Sequence, residues 1–312
     1  GAFFTLIVIS AGAWVRLTDA GLGCPDWPGC YGILGTPDTE SEILEAKKLY
    51  PNAEIDVGKA WREMLHRYLA GILGIYVFLI SFLTWKFAKN VPILLPIFLT
   101  LLIITQSIMG MLTVTELVKP TIVTTHLVLG MTTACLLLWN GFCLGNSENT
   151  TFSGVNYFYV VCTLVLLAQI ILGGWTRTNY ASLACTDFPK CAQEWYPNNM
   201  DFKTGFTITN LPNVNYEIQQ MNFSGKLAVH FTHRLGALLV LILFTILFWY
   251  LFFVQKSHIL KNIGYFILQI TLGISNVVYS LPLTVAVLHT VNACILMMSM
   301  LTLLFYSTYN TR

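Results

Sequence analysis

Four of the chain's six histidines, His66, His126, His233 and His289, fall near the beginning of long apolar stretches. His66 comes five residues after Trp61, His126 six after Pro120 and His289 seven after Pro282. At about 1.5 Å per helical residue, the rings lie roughly 8–11 Å below the helix starts. A polar ring at that depth is costly unless it has a partner. A single one would serve as an interhelical hydrogen bond, but two equivalent pairs call for more. Neutral imidazole is a good ligand for haem iron, and helices facing across a bundle supply both axial positions. No cluster of cysteines and carboxylates accompanies either pair, which makes zinc the less natural metal. The spacing points to two haem sites, His66 with His126 and His233 with His289.

The surroundings of the two pairs differ. WREMLHR (61–67) places Glu63 three residues before His66, on the same helix face, whereas LAVHFTHR (227–234) places His230 at the matching position. Beside a haem edge Glu63 reads as a general base or proton acceptor. As a structural group it would pair with Arg62, Arg67 or Arg16. The asymmetry suggests that the first site does chemistry while the second stores or passes electrons. Arg67 and Arg234 directly follow two of the histidines, and Arg16 and Arg177 close the first and fifth apolar stretches. Guanidinium groups there bind haem propionates or snorkel to lipid phosphate. His258 reads as solvated and Glu116 as interfacial.

The elements that position these residues follow from composition. The 312 residues are 55% hydrophobic and 10% charged, too little polar surface for a water-soluble fold. A net charge of +2 provides no basic patch and excludes nucleic-acid binding. A helix needs about 20 apolar residues to cross a bilayer. Eight stretches qualify, at 1–17, 62–86, 91–114, 121–144, 155–176, 227–254, 260–279 and 283–307. The first reads as a span rather than a cleaved signal peptide, because a chemical motif begins directly after it. Period-2 alternation is absent, which excludes a membrane barrel.

Eight spans put both termini on one side. Loop 18–60 carries Asp19, Asp26, Asp38, Glu40, Glu42, Glu45, Glu54 and Asp56 against Lys47, Lys48 and Lys59. Lys86, Lys89, Lys256, Lys261 and Arg312 flank the opposite side. The positive-inside rule therefore puts loops 18–61 and 177–226 outside. Cys24/Cys30 and Cys185/Cys191 lie in those loops, where an oxidising compartment favours two disulfides over free thiols or metal ligands. Cys135, Cys143, Cys162 and Cys294 fall within spans as small packing residues.

The chain also repeats itself. GAWVRLTDAGLGCPDWPGC (12–30) and GGWTRTNYASLACTDFPKC (173–191) match at nine of nineteen positions without a gap. Gln106/Gln269, Gly110/Gly273, His66/His233 and His126/His289 keep nearly the same offset. The expected architecture is all-α, eight transmembrane helices in two tandem four-helix bundles, residues 1–150 and 151–312, repeated in one orientation. The Gln-x-x-x-Gly spacing at Gln106/Gly110, Gln169/Gly173 and Gln269/Gly273 reads as close helix packing with a polar clip.

GAWVRLTDAGLGCPDWP, EMLHR and the four helix-start histidines together resemble the haem A synthase family over nearly the whole chain. The resemblance implies an eight-helix oxidoreductase of the bacterial cytoplasmic membrane, or alternatively the mitochondrial inner membrane. It implies oxidation of the C8 methyl of haem O to the formyl of haem A by successive hydroxylations, for cytochrome oxidase assembly. It assigns His233 and His289 to a bound haem b, and places substrate haem O near His66, His126 and Glu63. It links the outside pair Cys24/Cys30 with haem transfer or redox, and leaves the role of Cys185/Cys191 open. Haem O synthase and an electron acceptor such as quinone are the implied partners. Loops 32–60 and 192–225 match no motif.

Two other classes compete. A bis-histidine electron-transfer cytochrome predicts two permanent haems and no haem modification, and Glu63 argues against it. A disulfide-forming quinone reductase accounts for cysteine pairs above a bundle but leaves the four histidines without purpose.

Overall fold

In the computed structural model, which describes residues 1–89, 91–145, 150–152, 154–254 and 259–311, the chain is helical apart from one short β-ribbon. His258, Lys256 and Arg312 lie outside the described residues. The long helices are α1 (Ala2–Leu17), α3 (Val57–Phe87), α4 (Leu94–Thr115), α5 (Pro120–Gly145), α6 (Tyr157–Thr178), α8 (Phe223–Val254), α9 (Ile259–Val278) and α10 (Leu283–Thr308). Two short helices, α2 (Glu40–Leu49) and α7 (Phe202–Gly205), interrupt the long loops. β1 (Thr150–Phe152) pairs antiparallel with β2 (Tyr309–Thr311) and ties the α5–α6 connection to the end of α10.

Among the described residues six helices are long and apolar enough to cross a membrane: α3, α4, α5, α6, α8 and α10. Of the other two stretches expected to span, α1 is a shorter apolar helix of 16 residues that includes the first residues of the sequence. Lys261, Asn262, Gln269 and Asn276 dilute the apolar character of α9. Outward, α3 presents Ile72, Ile75, Phe78, Leu79, Phe82 and Trp85. An apolar face of that extent suits lipid rather than water.

Local signals explain where the helices begin. The Asp56 side chain accepts from Lys59 N–H and starts α3 five residues before the expected span, and Asn222 Oδ1 accepts from Gly225 N–H at the head of α8. Thr39 and Glu42 form a capping box on α2, with Lys47 and Lys48 in its last turn. Pro120 opens α5, where a missing N–H costs nothing.

In the first half of the chain α1 packs on α3 and α5, α3 on α4, and α4 on α5. In the second half α6 packs on α8 and α10, and α9 on α8 and α10. Between them α1 meets α10, α5 meets α6, and α5 meets α10. The largest buried cluster lies where they meet, with Ile9 of α1, Met131 of α5, Leu166 of α6, Phe244 of α8, Phe266 of α9 and Met300 of α10. Cys135, Cys162 and Cys294 are buried thiols within it, and Cys143 is a partly buried one. The two tight turns correspond as well. Leu117 and Val118 between α4 and α5, and Ser280 and Leu281 between α9 and α10, are consecutive left-handed residues.

Candidate functional site

Each of the four imidazoles rests on a glycine of the preceding long helix. A Cβ built on Gly12 of α1 would lie 2.9 Å from His66 Cε1 of α3, and one on Gly110 of α4 would lie 3.3 Å from His126 Cε1 of α5. In the second half the corresponding distances are 3.1 Å from Gly173 of α6 to His233 and 3.2 Å from Gly273 of α9 to His289. Only a residue without a side chain lets a ring sit so close to the neighbouring backbone.

Four residues before three of these glycines stands a glutamine. Gln106 Nε2 donates to the His126 carbonyl at 3.0 Å, and Gln169 Nε2 donates to the His233 carbonyl at 2.9 Å. Gln169 Nε2 also lies 3.0 Å from His233 Nδ1, while Gln269 Nε2 lies 3.3 Å from both ring nitrogens of His289. The fourth position is Val8, which has no amide to offer. The two halves therefore hold their rings differently. Both second-half imidazoles touch a glutamine amide, whereas His66 Nδ1 and His126 Nδ1 are buried without a hydrogen-bond partner among the described residues.

One turn above the histidines, Glu63 and His230 make equivalent contacts with the two disulfide loops. The Cys24–Cys30 and Cys185–Cys191 bonds are both formed. Glu63 Oε2 accepts from Cys24 N–H at 2.8 Å, and His230 Nδ1 accepts from Cys185 N–H at 3.1 Å. Both side chains are buried. Glu63 Oε1 also pairs with Arg67 Nη2 at 2.5 Å. Arg67 Nη1 donates to the Asp26 and Gly29 carbonyls, and Arg234 donates to those of Lys190 and Cys185. These two arginines thus fasten the disulfide loops to α3 and α8.

Arg16 and Arg177 meet where the halves join. Arg177 Nη2 donates to the Arg16 carbonyl at 2.6 Å, and Arg16 Nη1 donates to Tyr180 Oη at 2.5 Å. Arg16 Nη1 also lies 3.8 Å from Glu217 Oε1 and 3.7 Å from Asp19 Oδ1. The Nε atoms of both arginines are buried without partners among the described residues. Glu217 reaches this cluster because Tyr216 N–H donates to the Leu117 carbonyl, so the second long loop crosses onto the first half. Burial pushes the Glu217 carboxyl above the usual carboxylate range, with Arg16 pulling against it. Glu116 pairs with Lys119 at 2.9 Å, away from the histidines.

The residues present fit a haem. His126 lies within electrostatic range of His66, and His233 within range of His289. All four histidines are partly buried residues, and the two unpartnered Nδ1 atoms belong to one pair. Among the described residues no three His, Cys, Asp or Glu side chains gather as a metal cluster, so paired imidazoles are the ligand arrangement on offer. Sequence reasoning found the histidines, Glu63, the cysteine pairs and the glutamine spacing. It missed the glycine cradle at Gly12, although Gly12 and Gly173 were matched repeat positions. It also missed Glu217, which no motif marked.

The family model described as cytochrome oxidase assembly protein, COX15-CtaA, matches residues 1–301. The chain is 40% identical over 309 residues to the heme A synthase of Shewanella oneidensis, covering 97% of this chain and 93% of the relative. It is 28% identical to the heme A synthase of Ehrlichia ruminantium strain Gardel, covering 96% and 89%. With that of Halalkalibacterium halodurans the identity is 26%, covering 93% and 89%.

Proposed function

Because the chain belongs to the COX15-CtaA family of cytochrome oxidase assembly proteins, we infer that it is a haem A synthase. It is a multi-pass membrane oxidoreductase that converts haem O to haem A. In our reading the C8 methyl becomes the formyl by successive hydroxylations. A methyl C–H lies beyond the reach of side-chain chemistry, and haem iron supplies the oxidising power when bound.

The finer assignment gives the two histidine pairs different tasks. His233 and His289 hold a resident haem b, supported by the glutamine amides that orient both rings. His66 and His126 take substrate haem O, supported by Glu63 one turn away and by Nδ1 atoms that have no hydrogen-bond partner among the described residues. Arg16 and Arg177 have unpartnered Nε donors for propionate at the junction of the halves. Arg67 and Arg234 act at the haem sites by holding the disulfide loops above them.

The observation that carries the reading is Glu63, a buried carboxylate beside one histidine pair and absent from the other. Cys24 N–H and Arg67 hold its two oxygens one turn from His66. From there it takes a proton, or stabilises a developing cation, at the substrate edge. A purely structural staple would make the same two contacts, and kinetics separate the two roles. In cells that also express haem O synthase, the parent should yield haem A. Glu63→Ala should keep its second-half haem while forming no product; full haem A yield in that variant would refute the role.

We read the fold as eight spans in two tandem four-helix halves, 1–150 and 151–312. The corresponding glycine cradles, disulfide loops and left-handed turns support that reading. The two disulfide-bearing loops, the first of them acidic, lie outside the bacterial cytoplasmic membrane. Haem O synthase as donor and quinone as electron acceptor complete the proposed partners.

A further inference from the structure

Glu63 and His230 occupy matching places on α3 and α8, yet they leave the two sites with different charge. Both accept the N–H of the first cysteine in a disulfide loop, and both lie four residues before an arginine that clasps that loop. Glu63 neutralises its arginine through a direct ion pair. His230 accepts the Cys185 N–H at Nδ1, and an imidazole that accepts at a ring nitrogen carries no positive charge.

Nothing at position 230 therefore offsets Arg234, whose Nε lies 3.4 Å from His230 Nε2. Among the described residues no carboxylate comes within salt-bridge distance of Arg234. Asp187 acts on it from farther away, with its own Oδ2 engaged by Gln193 N–H. The other titratable group facing His230 is His233 on the same helix.

We propose that His230 raises the reduction potential of the second-half haem by leaving Arg234 uncompensated beside His233. The proposal rests on the assignment of that haem to His233 and His289. Reduction removes one positive charge from the iron centre, so an unbalanced cation nearby favours the reduced state. A haem so placed accepts electrons more readily than one beside the neutralised pair of the first half. Position 230 is then a tuning position and makes no contact with reacting atoms.

The test is a redox titration of the detergent-purified holoprotein, followed in the Soret band. His230→Glu recreates the first-half ion pair and should shift the reduction equilibrium about tenfold toward the oxidised form, about 59 mV for one electron. His230→Gln keeps an acceptor for Cys185 N–H without adding charge and should leave the midpoint at the parent value. A midpoint unmoved by His230→Glu, or an equal fall with His230→Gln, overturns the proposal. If His230→Glu fails to retain pigment, Arg234→Gln is read the same way: a lowered midpoint supports the proposal and an unmoved one overturns it. A parent protein without Soret absorption would instead remove the haem assignment itself, a failure distinct from an unmoved midpoint in pigmented protein.

Discussion

Adding one methyl group to the glycine cradle should dislodge a haem ligand without unfolding the protein. A comfortable carbon–carbon contact is about 3.5 Å or more. With a Cβ only 2.9 Å from His66 Cε1, Gly12→Ala forces the ring to retreat by about 0.6 Å. Gly173→Ala, Gly273→Ala and Gly110→Ala start from 3.1, 3.2 and 3.3 Å, and need roughly 0.4, 0.3 and 0.2 Å. Metal–ligand bonds tolerate displacements of only about 0.2 Å, so the expected order of damage is Gly12, Gly173, Gly273, then Gly110. Replacing a mid-helix glycine by alanine also gains about 1 kcal/mol of helix stability, so a loss of pigment cannot be put down to a weakened helix. Gly71 and Gly264 have nothing within 4 Å of a built Cβ and serve as controls. The assay is Soret absorbance per mole of purified protein. Gly173→Ala should lose resident haem while Gly264→Ala keeps it. Equal pigment in those two variants would refute the cradle argument.

The remaining expectations concern the carboxylates and the outer loops. Glu63→Gln, which keeps the shape of the side chain but not its charge, should lower turnover by about 10²–10⁴-fold, measured as haem A formed per enzyme. For Glu217 the raised carboxyl pKa means that the folded state holds its proton longer than the unfolded chain does. Its contribution to stability is then present at acid pH and fades as pH rises through the raised value. Glu217→Gln should accordingly gain thermal stability relative to the parent as pH increases from acid to neutral, and a constant difference would contradict this. Replacing Thr39 by alanine removes the cap of α2 and should cost about 1 kcal/mol, read as faster amide exchange in residues 40–49. Serine in place of both Cys24 and Cys30 releases a loop worth about 2 kcal/mol by chain entropy. It should impair haem A formation more than second-half haem content, because Glu63 takes its N–H bond from Cys24.

Much of this was legible in the sequence because polar landmarks stand out against apolar helices. The four histidines, the cysteine pairs and the Gln-x-x-x-Gly spacings all led to contacts that the structure contains. Arginine was harder to read, since a guanidinium serves lipid phosphate, propionate or backbone carbonyl equally well. Arg67 and Arg234 turn to loop carbonyls that have no sequence signature. Long loops concealed more. The capping box of α2 lay in plain view at Thr39 and Glu42, but the crossing of Tyr216 and Glu217 onto the first half is a tertiary contact without periodicity. Counting apolar residues was clearest for the six long apolar helices among the described residues, while α9 carries polar residues along its length.

Extraction of haems from the purified protein, identified by mass, tests the central claim most directly. The account predicts haem b together with haem O, haem A or the alcohol between them, with haem b lost when His233 and His289 are replaced by alanine. Protein without any haem, or haem b alone in two copies per chain, would contradict it.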